Sequence, residues 1–377
     1  MKKVGITGQA GFVGNHLYTT LGLDDSVKLI PFERQFFDSA EILADFVSQC
    51  DTIVHLAAMN RHEDPQVIYD TNIDLVNKLI AACDSREATP HILFSSSTQE
   101  GRDNLYGKSK KAGKTLLMSW ASRSGGKFTS LTIPNVFGPF GKPNYNSVVA
   151  TFCHKVAHKE EPKIIQDGEV GLIYVNDLVH QIIETILGNS QPISLEPGSN
   201  ELNINAVYNK KVSEILEILN RFKEEYMQNG VFPNLEDPFE RDLFNTFRCY
   251  ISPEHYPVKY TQHTDNRGSF VEIARAQTSG QFSFSTTVPG ITRGNHFHTR
   301  KAERFAVIKG KALIELRKIG TQEVISYELD GTEPAYVDMP IWYTHNIKNV
   351  GDEELITLFW INEPYDPADP DTYFEDV

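Results

Sequence analysis

The chain has 377 residues, which is long enough for two domains with separate hydrophobic cores. Acidic residues outnumber basic ones by 50 to 36, and the formal net charge is −14, which argues against general binding of nucleic acid or of an anionic membrane surface. The four cysteines (Cys50, Cys83, Cys153 and Cys249) form no CxxC pair, so we interpret them as the reduced thiols of a cytoplasmic protein.

The N-terminal sequence enters a glycine-rich loop at Gly8, too early to contain the apolar core of a signal peptide. No apolar run is long enough to span a bilayer. We therefore expect no membrane association.

Apolar strands alternate with helical stretches from residue 1 to about residue 245. We predict strands at Val4–Thr7, Thr52–Ala58 and His91–Ser96, and helices at Phe12–Leu23, Val67–Cys83 and Lys108–Ser122. This alternation predicts an α/β domain with a doubly wound, Rossmann-like parallel sheet.

The pattern changes after about residue 257 to short strands separated by Gly, Asp, Asn and Pro turns, which is typical of an all-β barrel. The predicted domains are therefore residues 1–245 and 257–377, with a linker at 246–256.

A glycine triplet lies between the first predicted strand and the first helix. Gly8, Gly11 and Gly14 are spaced GxxGxxG, and Phe12 and Val13 open the helix. Glycines at such a turn let the backbone approach a pyrophosphate, which sits at the helix N-terminus. The alternative is a tight turn without a ligand, but the position between strand and helix favours a dinucleotide site.

A serine run and a Tyr-x-x-x-Lys pair follow. Ser97 directly follows the third predicted strand, and Tyr106 and Lys110 are one helical turn apart. We predict that Ser97 binds a substrate carbonyl oxygen and that Tyr106 protonates it while a hydride reaches the carbon. The nearby ammonium of Lys110 is expected to lower the pKa of the phenol, helped by the charge of a nicotinamide.

This half of the chain resembles the extended short-chain dehydrogenase/reductase family of nucleotide-sugar enzymes. The resemblance is carried by the glycine loop, by Asp51 with His55-Leu56-Ala57-Ala58, by Tyr106 and Lys110, by Pro134-Asn135-Val136-Phe137-Gly138-Pro139, and by Tyr174-Val175-Asn176-Asp177. It implies that Leu56, Ala57 and Ala58 line the cofactor pocket and that Asn135 lies near the nicotinamide and the substrate. Thr132 stands where the family often has Arg.

The end of the second strand bears on the choice of cofactor. Glu33 would bind a ribose 2′-hydroxyl, whereas Arg34 would bind a 2′-phosphate. We favour NADPH through Arg34, because a guanidinium pairs well with phosphate. A solvated Arg34 is the alternative.

The second half contains the pattern Gly290-x5-His296-x-His298-x4-Glu303-x6-Gly310, followed by Pro340-x-Trp342-x2-His345-x3-Asn349. Three imidazoles and one carboxylate suit a divalent transition metal, and a strand points His296 and His298 to one face. The spacing resembles that of the cupin barrel, although Trp342 replaces the usual Gly. Zinc fits this ligand set, as do iron, nickel and manganese.

Two arginine segments near this motif resemble those of the nucleotide-sugar 3,5-epimerases. By that resemblance, Arg267 and Arg293 contact the sugar diphosphate, with surface ion pairs as the alternative. The family's catalytic base falls on His296, a predicted metal ligand, so the base stays open. We expect Lys301 to be exposed.

The complete chain resembles the CapF-type bifunctional enzymes of capsular polysaccharide synthesis, through stretches such as Lys142-Pro143-Asn144-Tyr145 and Tyr343-Thr344-His345-Asn346-Ile347. The resemblance implies a zinc cupin that epimerises C3 of a UDP-2-acetamido-2,6-dideoxy-4-keto-hexose, and an N-terminal domain that reduces C4 with NADPH. The product would be UDP-2-acetamido-2,6-dideoxy-L-talose, on the route to UDP-N-acetyl-L-fucosamine. A homodimer is the family expectation.

Two alternatives stay open at this point. One is a monofunctional 4-keto reductase whose cupin only stabilises the chain. The other is a redox sensor that binds NADP without turnover, although a sensor has no need of the Ser97, Tyr106 and Lys110 set.

Overall fold

A computed structural model describes residues 1–266 and 268–377, so the predicted phosphate contact Arg267 lies outside the described residues. The chain forms two compact units. The first comprises residues 1–148 and 166–212, and the second comprises residues 149–165 and 213–377. The predicted linker at 246–256 stays a prediction.

The first unit is built from alternating strands and helices. In chain order they are β1 (Lys2–Thr7), α1 (Phe12–Leu21), β2 (Val27–Ile30), α2 (Ala40–Ser48), β3 (Thr52–His55), α3 (Pro65–Ser85), β4 (His91–Ser97), α4 (Leu105–Ser124), β5 (Lys127–Ile133), β6 (Asn135–Phe137), α5 (Val148–Ala157, mostly in the second unit), β7 (Glu169–Tyr174), α6 (Val175–Leu187), β8 (Ile193–Glu196), β9 (Ser199–Asn203) and β10 (Tyr208–Lys211).

Seven of these strands form one sheet in the order β2-β1-β3-β4-β5-β9-β8, which is parallel except for the terminal strand β8. The chain leaves β1 in one direction to reach β2 and builds β3, β4 and β5 in the other. Right-handed crossovers then put α1 on the opposite face from α2, α3 and α4. The predicted doubly wound, Rossmann-like sheet is therefore confirmed.

Local signals explain where the predicted helices begin. Asp64 caps α3 by accepting from the amide of Gln66, and Pro65 occupies the first turn. Asn104 caps α4 by accepting from Gly107 N, so this helix begins three residues before the predicted start at Lys108. Buried apolar side chains of α2, α3, α4 and strands β3 and β4 pack into one core around Phe46, Leu79 and Trp120.

The second unit is mostly β. Its elements are α7 (Val212–Phe222), β11 (Val231–Phe232), α8 (Pro238–Arg248), β12 (Val258–Lys259), β13 (Gln262–Asp265), β14 (Gly268–Val271), β15 (Arg275–Ala276), β16 (Gln281–Thr287), β17 (Thr292–Phe297), β18 (Glu303–Lys309), β19 (Lys311–Lys318), β20 (Val324–Asp330), β21 (Ala335–Met339), β22 (Tyr343–Asn349), β23 (Leu355–Ile361) and β24 (Tyr373–Phe374).

Two five-stranded antiparallel sheets dominate this unit, in the orders β12-β21-β18-β23-β16 and β20-β19-β22-β17-β24. Side chains of both sheets share one core, with Val307 and Val337 from the first and Ile314 and Leu316 from the second. The predicted all-β architecture after about residue 257 is confirmed. A short parallel pair, β11 with β15, joins the helical segment before the barrel to its strands.

A buried ion pair fastens this helical segment to the barrel. Arg304 binds both carboxylate oxygens of Asp338, at 2.7 and 2.8 Å, and also donates to the carbonyl of Gly230. Tyr226, from the π-helical segment Lys223–Gln228 that continues α7, donates to the same Asp338 carboxylate. These contacts satisfy a carboxylate and a guanidinium that would otherwise be costly to bury.

Among the described residues, the helices are all too short or too polar to traverse a bilayer.

Candidate functional sites

The glycine loop of the first unit is shaped by close backbone contacts. Gly8 has φ +77°, and a Cβ there would lie 2.7 Å from the amide nitrogen of Ala57. A Cβ on Gly14 would lie 2.2 Å from the carbonyl oxygen of Gly8, whereas Gly11 is less crowded and donates its N–H to the same carbonyl. The loop leads directly into α1 at Phe12 and Val13, so the free amides of the helix N-terminus lie at this loop.

The loop after β3 lies beside the glycine loop. Leu56 N donates to the carbonyl of Thr7 at 3.1 Å, and Ala57 N donates to the Thr7 hydroxyl at 3.4 Å. Both loops follow the carboxyl ends of β1 and β3, where the strand order reverses and where α/β sheets bind their ligands. The structure thus brings Gly8, Leu56 and Ala57 together, and Ala58 follows with an exposed side chain.

Thr7, which sequence reasoning missed, connects this loop to a buried histidine. Its hydroxyl lies 2.7 Å from Nδ1 of His55. Burial, with the charge of Lys110, lowers the pKa of His55 to about 3, so this imidazole is neutral. The apolar character of β3 gave no sign of this pairing.

Glu33 and Arg34 both lie just after β2 and are exposed. Glu33 accepts from the Gln35 side chain at 2.6 Å, and Arg34 begins a 3₁₀ turn. The role of Arg34 in binding a 2′-phosphate stays a prediction.

Of the predicted catalytic residues, Ser97 ends β4, and Tyr106 and Lys110 lie in the first two turns of α4. Lys110 is 3% exposed and donates to the Ser95 hydroxyl at 3.3 Å. Its ammonium lies 5.7 Å from the centre of the Tyr106 ring. Ser97 is also buried, and its hydroxyl accepts from the amide of Gln99.

Burial controls the electrostatics of this pair. It lowers the pKa of Lys110 to about 8, against the charge of Glu100, and it raises the pKa of Tyr106 to about 12, with Tyr145 adding to the effect. For the polypeptide itself, burial of the phenol therefore shifts the pKa of Tyr106 in the direction opposite to the predicted lowering. The effect of a bound nicotinamide on this pKa stays a prediction. Tyr106 holds its proton at neutral pH, as a proton donor must.

A polar network lies beside the pair. Lys114 binds Glu201 at 2.6 Å and lies 3.9 Å from Glu100, and the Thr132 hydroxyl donates to Glu201 at 2.9 Å. Glu100 also accepts from Ser96. Thr132 thus belongs to a network whose members are scattered along the sequence.

Asn135 begins β6, is exposed, and donates to the carbonyl of Gly171 at 3.1 Å. A second segment, residues 142–147, is held by Arg61, which donates to the carbonyls of Asn144 and Tyr145 at 3.1 and 2.6 Å. Tyr145 is close enough to Tyr106 to raise its pKa. Sequence reasoning assigned no role to Arg61.

In the second unit, the four predicted metal ligands come together. The candidate ligand atoms of His296, His298, Glu303 and His345 all lie within 4.8 Å of one another. His296 and His345 are direct cross-strand partners on β17 and β22, and Glu303 begins β18 in the other sheet. Bonds of about 2.0–2.2 Å to a metal require ligand atoms roughly 3–4 Å apart, so the cluster suits one divalent ion.

Nitrogen and oxygen atoms of this cluster face one another. Nε2 of both His298 and His345 lies 3.2 Å from Oε2 of Glu303. Within the described part of the chain, the buried Nε2 of His345 has no hydrogen-bond partner. A buried lone pair aimed at a carboxylate is what a metal ligand needs and is otherwise costly.

The protonation states also suit a metal. Burial and the charge of His345 lower the pKa of His296 to about 4, so it is neutral. Burial opposes ionisation of Glu303, but the two imidazoles that face its carboxylate, those of His298 and His345, hold its pKa well below the usual range. Burial likewise acts against a charged His298, but Glu303 raises its pKa above the ordinary value. A metal cation bound between His298 and Glu303 would take the place of the proton that Glu303 stabilises on His298.

Backbone carbonyls orient two of the imidazoles. Nδ1 of His298 bonds to the carbonyl of Asp371, and Nδ1 of His345 bonds to that of Tyr343 at 3.1 Å. Since each Nδ1 donates its hydrogen to a carbonyl, each Nε2 keeps a lone pair for a metal.

Two cationic residues near the cluster differ in exposure: Arg293 is exposed and Lys301 is buried. Arg293 donates to the Thr287 hydroxyl and the Thr286 carbonyl, both at 3.1 Å, and its phosphate contact stays a prediction. Lys301 is 2% exposed, so the prediction of an exposed lysine is wrong. Its ammonium donates to the carbonyl of Pro370 at 2.7 Å, a C-terminal contact that the motif did not reveal.

Comparison with known families matches both parts of the chain. Residues 4–191 match the NAD dependent epimerase/dehydratase family, and residues 263–373 match the polysaccharide biosynthesis C-terminal domain. The class of protein is thus a nucleotide-binding epimerase/dehydratase domain joined to a polysaccharide biosynthesis domain.

Three relatives extend this result. The chain is 34% identical to the UDP-2-acetamido-2,6-beta-L-arabino-hexul-4-ose reductase of Pseudomonas aeruginosa, over 98% of both chains. The chain in the crystal structure of the capsular polysaccharide assembling protein CapF of Staphylococcus aureus is 35% identical to this one. The match covers 100% of both chains, with a TM-score of 0.62. This chain is 26% identical to the spore coat polysaccharide biosynthesis protein SpsL of Bacillus subtilis, over 30% of its own length and 82% of SpsL. The chain belongs to the CapF family.

Proposed function

We propose that this chain is a bifunctional nucleotide-sugar enzyme of capsular or O-antigen polysaccharide biosynthesis, which inverts C3 and then reduces C4 of a UDP-2-acetamido-2,6-dideoxy-4-keto-hexose. One observation carries the proposal. This chain is similar to a UDP-keto-sugar reductase over 98% of its length, and it has both a buried Lys110 beside a partly buried Tyr106 and a largely buried cluster of three histidines and a glutamate.

The cofactor of the first unit would be NADPH, which when bound supplies the hydride for C4. The residues that would hold it are those of the glycine loop and the start of α1, those after β3, and four further side chains: Gly8, Gly11, Phe12, Val13, Gly14, Leu56, Ala57, Ala58, Arg34, Tyr106, Lys110 and Asn135. Arg34 carries the preference for a 2′-phosphate, because its exposed guanidinium can pair with phosphate oxygens.

Tyr106 would donate its phenolic proton to the oxygen on C4. The raised pKa keeps the phenol protonated, and the ammonium of Lys110, 5.7 Å from the ring centre, would stabilise the phenolate that is left. The Ser97 oxygen accepts from Gln99 N, so its hydroxyl hydrogen is available to orient the same substrate oxygen.

The histidine–glutamate cluster is the proposed epimerisation centre, with zinc as the favoured ion. Polarisation of a ketone oxygen is the chemistry that a divalent ion would supply there. The neutral His296 and the ionised Glu303 are in the protonation states that ligation requires. Arg293 and Arg267 are proposed contacts to the sugar diphosphate.

The chemistry orders the two steps. The C3 hydrogen is acidic only while C4 is a ketone, because the ketone delocalises the charge left by the departing proton. Epimerisation must therefore precede reduction. The product would be UDP-2-acetamido-2,6-dideoxy-L-talose, on the route to UDP-N-acetyl-L-fucosamine, and the homodimer stays a prediction.

A monofunctional 4-keto reductase with a structural second domain is the second candidate. It is favoured by the name of the Pseudomonas aeruginosa relative, which specifies reduction alone.

Incubation of the purified chain with the UDP-4-keto-sugar in D₂O, with and without NADPH, separates the two candidates by NMR. We expect deuterium at C3 without NADPH, and a C3-inverted alcohol with NADPH. Reduction without exchange or inversion at C3 would support the monofunctional reductase and contradict the bifunctional enzyme.

A further inference from the structure

The C-terminal segment, residues 369–376, lies against the strand that carries the first metal ligand. Within it, β24 pairs with the end of β17, and Phe374 is the cross-strand partner of His296. Glu375 N donates to the carbonyl of Asn295 at 3.1 Å. This segment therefore forms the edge of the sheet next to the histidine–glutamate cluster.

Asp371 is the buried centre of this segment, at 2% exposure. Its carboxylate accepts from the amides of Thr299, Arg300 and Lys301 at 3.0, 3.1 and 3.1 Å, and from the Thr299 hydroxyl at 2.6 Å. Three consecutive amides thus converge on one side chain. They belong to the turn that joins His298 to Glu303, so the carboxylate determines the conformation of the loop between two candidate ligands.

The same residue also contacts a ligand. The carbonyl of Asp371 accepts from Nδ1 of His298, which leaves Nε2 of that ring facing Glu303 at 3.2 Å. Asp371 has φ +43°, a left-handed conformation that Asp and Asn tolerate better than most residues. In this conformation, the carboxylate of Asp371 faces the 299–301 turn and its carbonyl faces the imidazole of His298.

Two further contacts fasten the segment to the loop. The buried ammonium of Lys301 donates to the Pro370 carbonyl at 2.7 Å. Arg300 pairs with Asp369 at 2.8 Å, but this pair is largely exposed and contributes little. The buried contacts between the segment and the loop therefore centre on Asp371 and not on the surface pair.

We propose that Asp371 is a positioning residue of the metal centre: it holds the 299–301 turn and the His298 ring so that His298 and Glu303 can bind one divalent ion together. The inference rests on the proposed function of this cluster. It concerns a residue 68 positions beyond Glu303, outside the motif that predicted the ligands.

The test measures zinc affinity of the full-length chain after removal of metal with a chelator. Asp371→Asn keeps the size of the side chain and its tolerance of positive φ, but it replaces a charged acceptor by an amide that cannot satisfy all three N–H groups. We expect a zinc dissociation constant about 10- to 100-fold higher than that of the unmodified chain. Cobalt substituted for zinc should give an altered visible absorption spectrum, a signature of changed ligand geometry.

Asp369→Asn is the matched control, because it removes a carboxylate from the same segment without touching the turn amides or His298. It should change the dissociation constant by less than about threefold. Thr299→Ala removes only the hydroxyl contact to Asp371, and we expect an intermediate loss of about two- to tenfold. If Asp371→Asn does not fold, the zinc affinity of Thr299→Ala tests the positioning role of Asp371.

The outcomes separate this inference from the proposed function. If the unmodified chain binds zinc and Asp371→Asn binds it equally well with the same cobalt spectrum, the positioning role is overturned while the metal centre stands. The role is likewise overturned if Asp371→Asn does not fold and Thr299→Ala binds as the unmodified chain does. If the unmodified chain binds no zinc, the proposed metal centre and the role of Asp371 fall together.

Discussion

The ammonium of Lys110 lies 5.7 Å from the centre of the Tyr106 ring, and burial shifts the two pKa values in opposite directions, to about 8 for the lysine and about 12 for the tyrosine. Burial disfavours the charged form of each group, so it makes the phenol a firmly protonated donor and the lysine a cation maintained at a cost. This arrangement suits a proton donor that must stabilise the anion it leaves behind.

Tyr106→Phe should abolish reduction of the keto-sugar and leave proton exchange at C3 intact. The substitution removes the donated proton but keeps the ring, so we expect turnover to fall about 10²- to 10⁴-fold. NADPH oxidation measured by absorbance reports the first effect, and NMR in D₂O reports the second. Undiminished NADPH oxidation by this variant would refute the assignment of the acid.

Lys110→Met should stabilise the first unit at pH 7 while removing reductase activity. The folded-state pKa of about 8 lies below the ordinary value of 10.5, so the folded protein releases this proton more readily than the unfolded chain. The buried charge therefore destabilises the fold fully below about pH 8, by up to about 3 kcal/mol. The penalty decreases between about pH 8 and 10.5 and vanishes above that window.

Thermal unfolding at pH 7 and at about pH 10.5 measures this difference. Lys108→Met is the control, since Lys108 is on the same helix but exposed. The burial argument would be wrong if Lys110→Met destabilised the protein at pH 7 or if its effect did not depend on pH.

Gly107→Ala should displace the start of α4 and with it Tyr106. A Cβ at this position would lie 2.1 Å from the carbonyl oxygen of Gln99. Because that oxygen belongs to the backbone, the backbone would have to move to relieve the clash. We expect reductase turnover to fall about 10- to 100-fold, because small errors in the position of a catalytic group are costly.

Gly101→Ala is the matched control, since a Cβ there would meet no atom of the described residues within 4 Å and should leave turnover nearly unchanged. Steady-state kinetics of both variants provide the comparison. Equal turnover in the two variants would show that the close approach at Gly107 does not position Tyr106.

His296→Ala combined with His298→Ala should weaken metal binding and suppress C3 exchange, since it removes two of the four candidate ligands. Reduction of a substrate already inverted at C3 should continue, because Tyr106 and Lys110 are untouched. Metal content by elemental analysis and C3 exchange by NMR measure the effects, with the exposed His263→Ala as control. Retained stoichiometric metal in the double variant would exclude this cluster as the metal site.

Trp342 illustrates how a departure from a motif is accommodated. It stands where the similar barrels usually have glycine, and its φ is +61°. Such a conformation costs a non-glycine residue roughly 1–3 kcal/mol. Burial of the indole, which stacks on Phe297 at 5.6 Å, can offset a cost of that size, and Trp342 N donates to the carbonyl of His298 at 2.7 Å. The turn is thus retained with a different residue.

Residue patterns alone predicted the architecture of both domains, the glycine loop, the Tyr106–Lys110 pair and the four candidate metal ligands. Strand and helix periodicity, capping residues and metal-ligand spacing all act over a few residues, so they can be read along the chain. Only the tertiary structure decided how burial shifts the pKa values of Tyr106 and Lys110, that Lys301 is buried, and that Asp371 bonds to the turn after His298. These depend on which distant segments meet and how much water they exclude, and no local pattern in a sequence encodes either quantity.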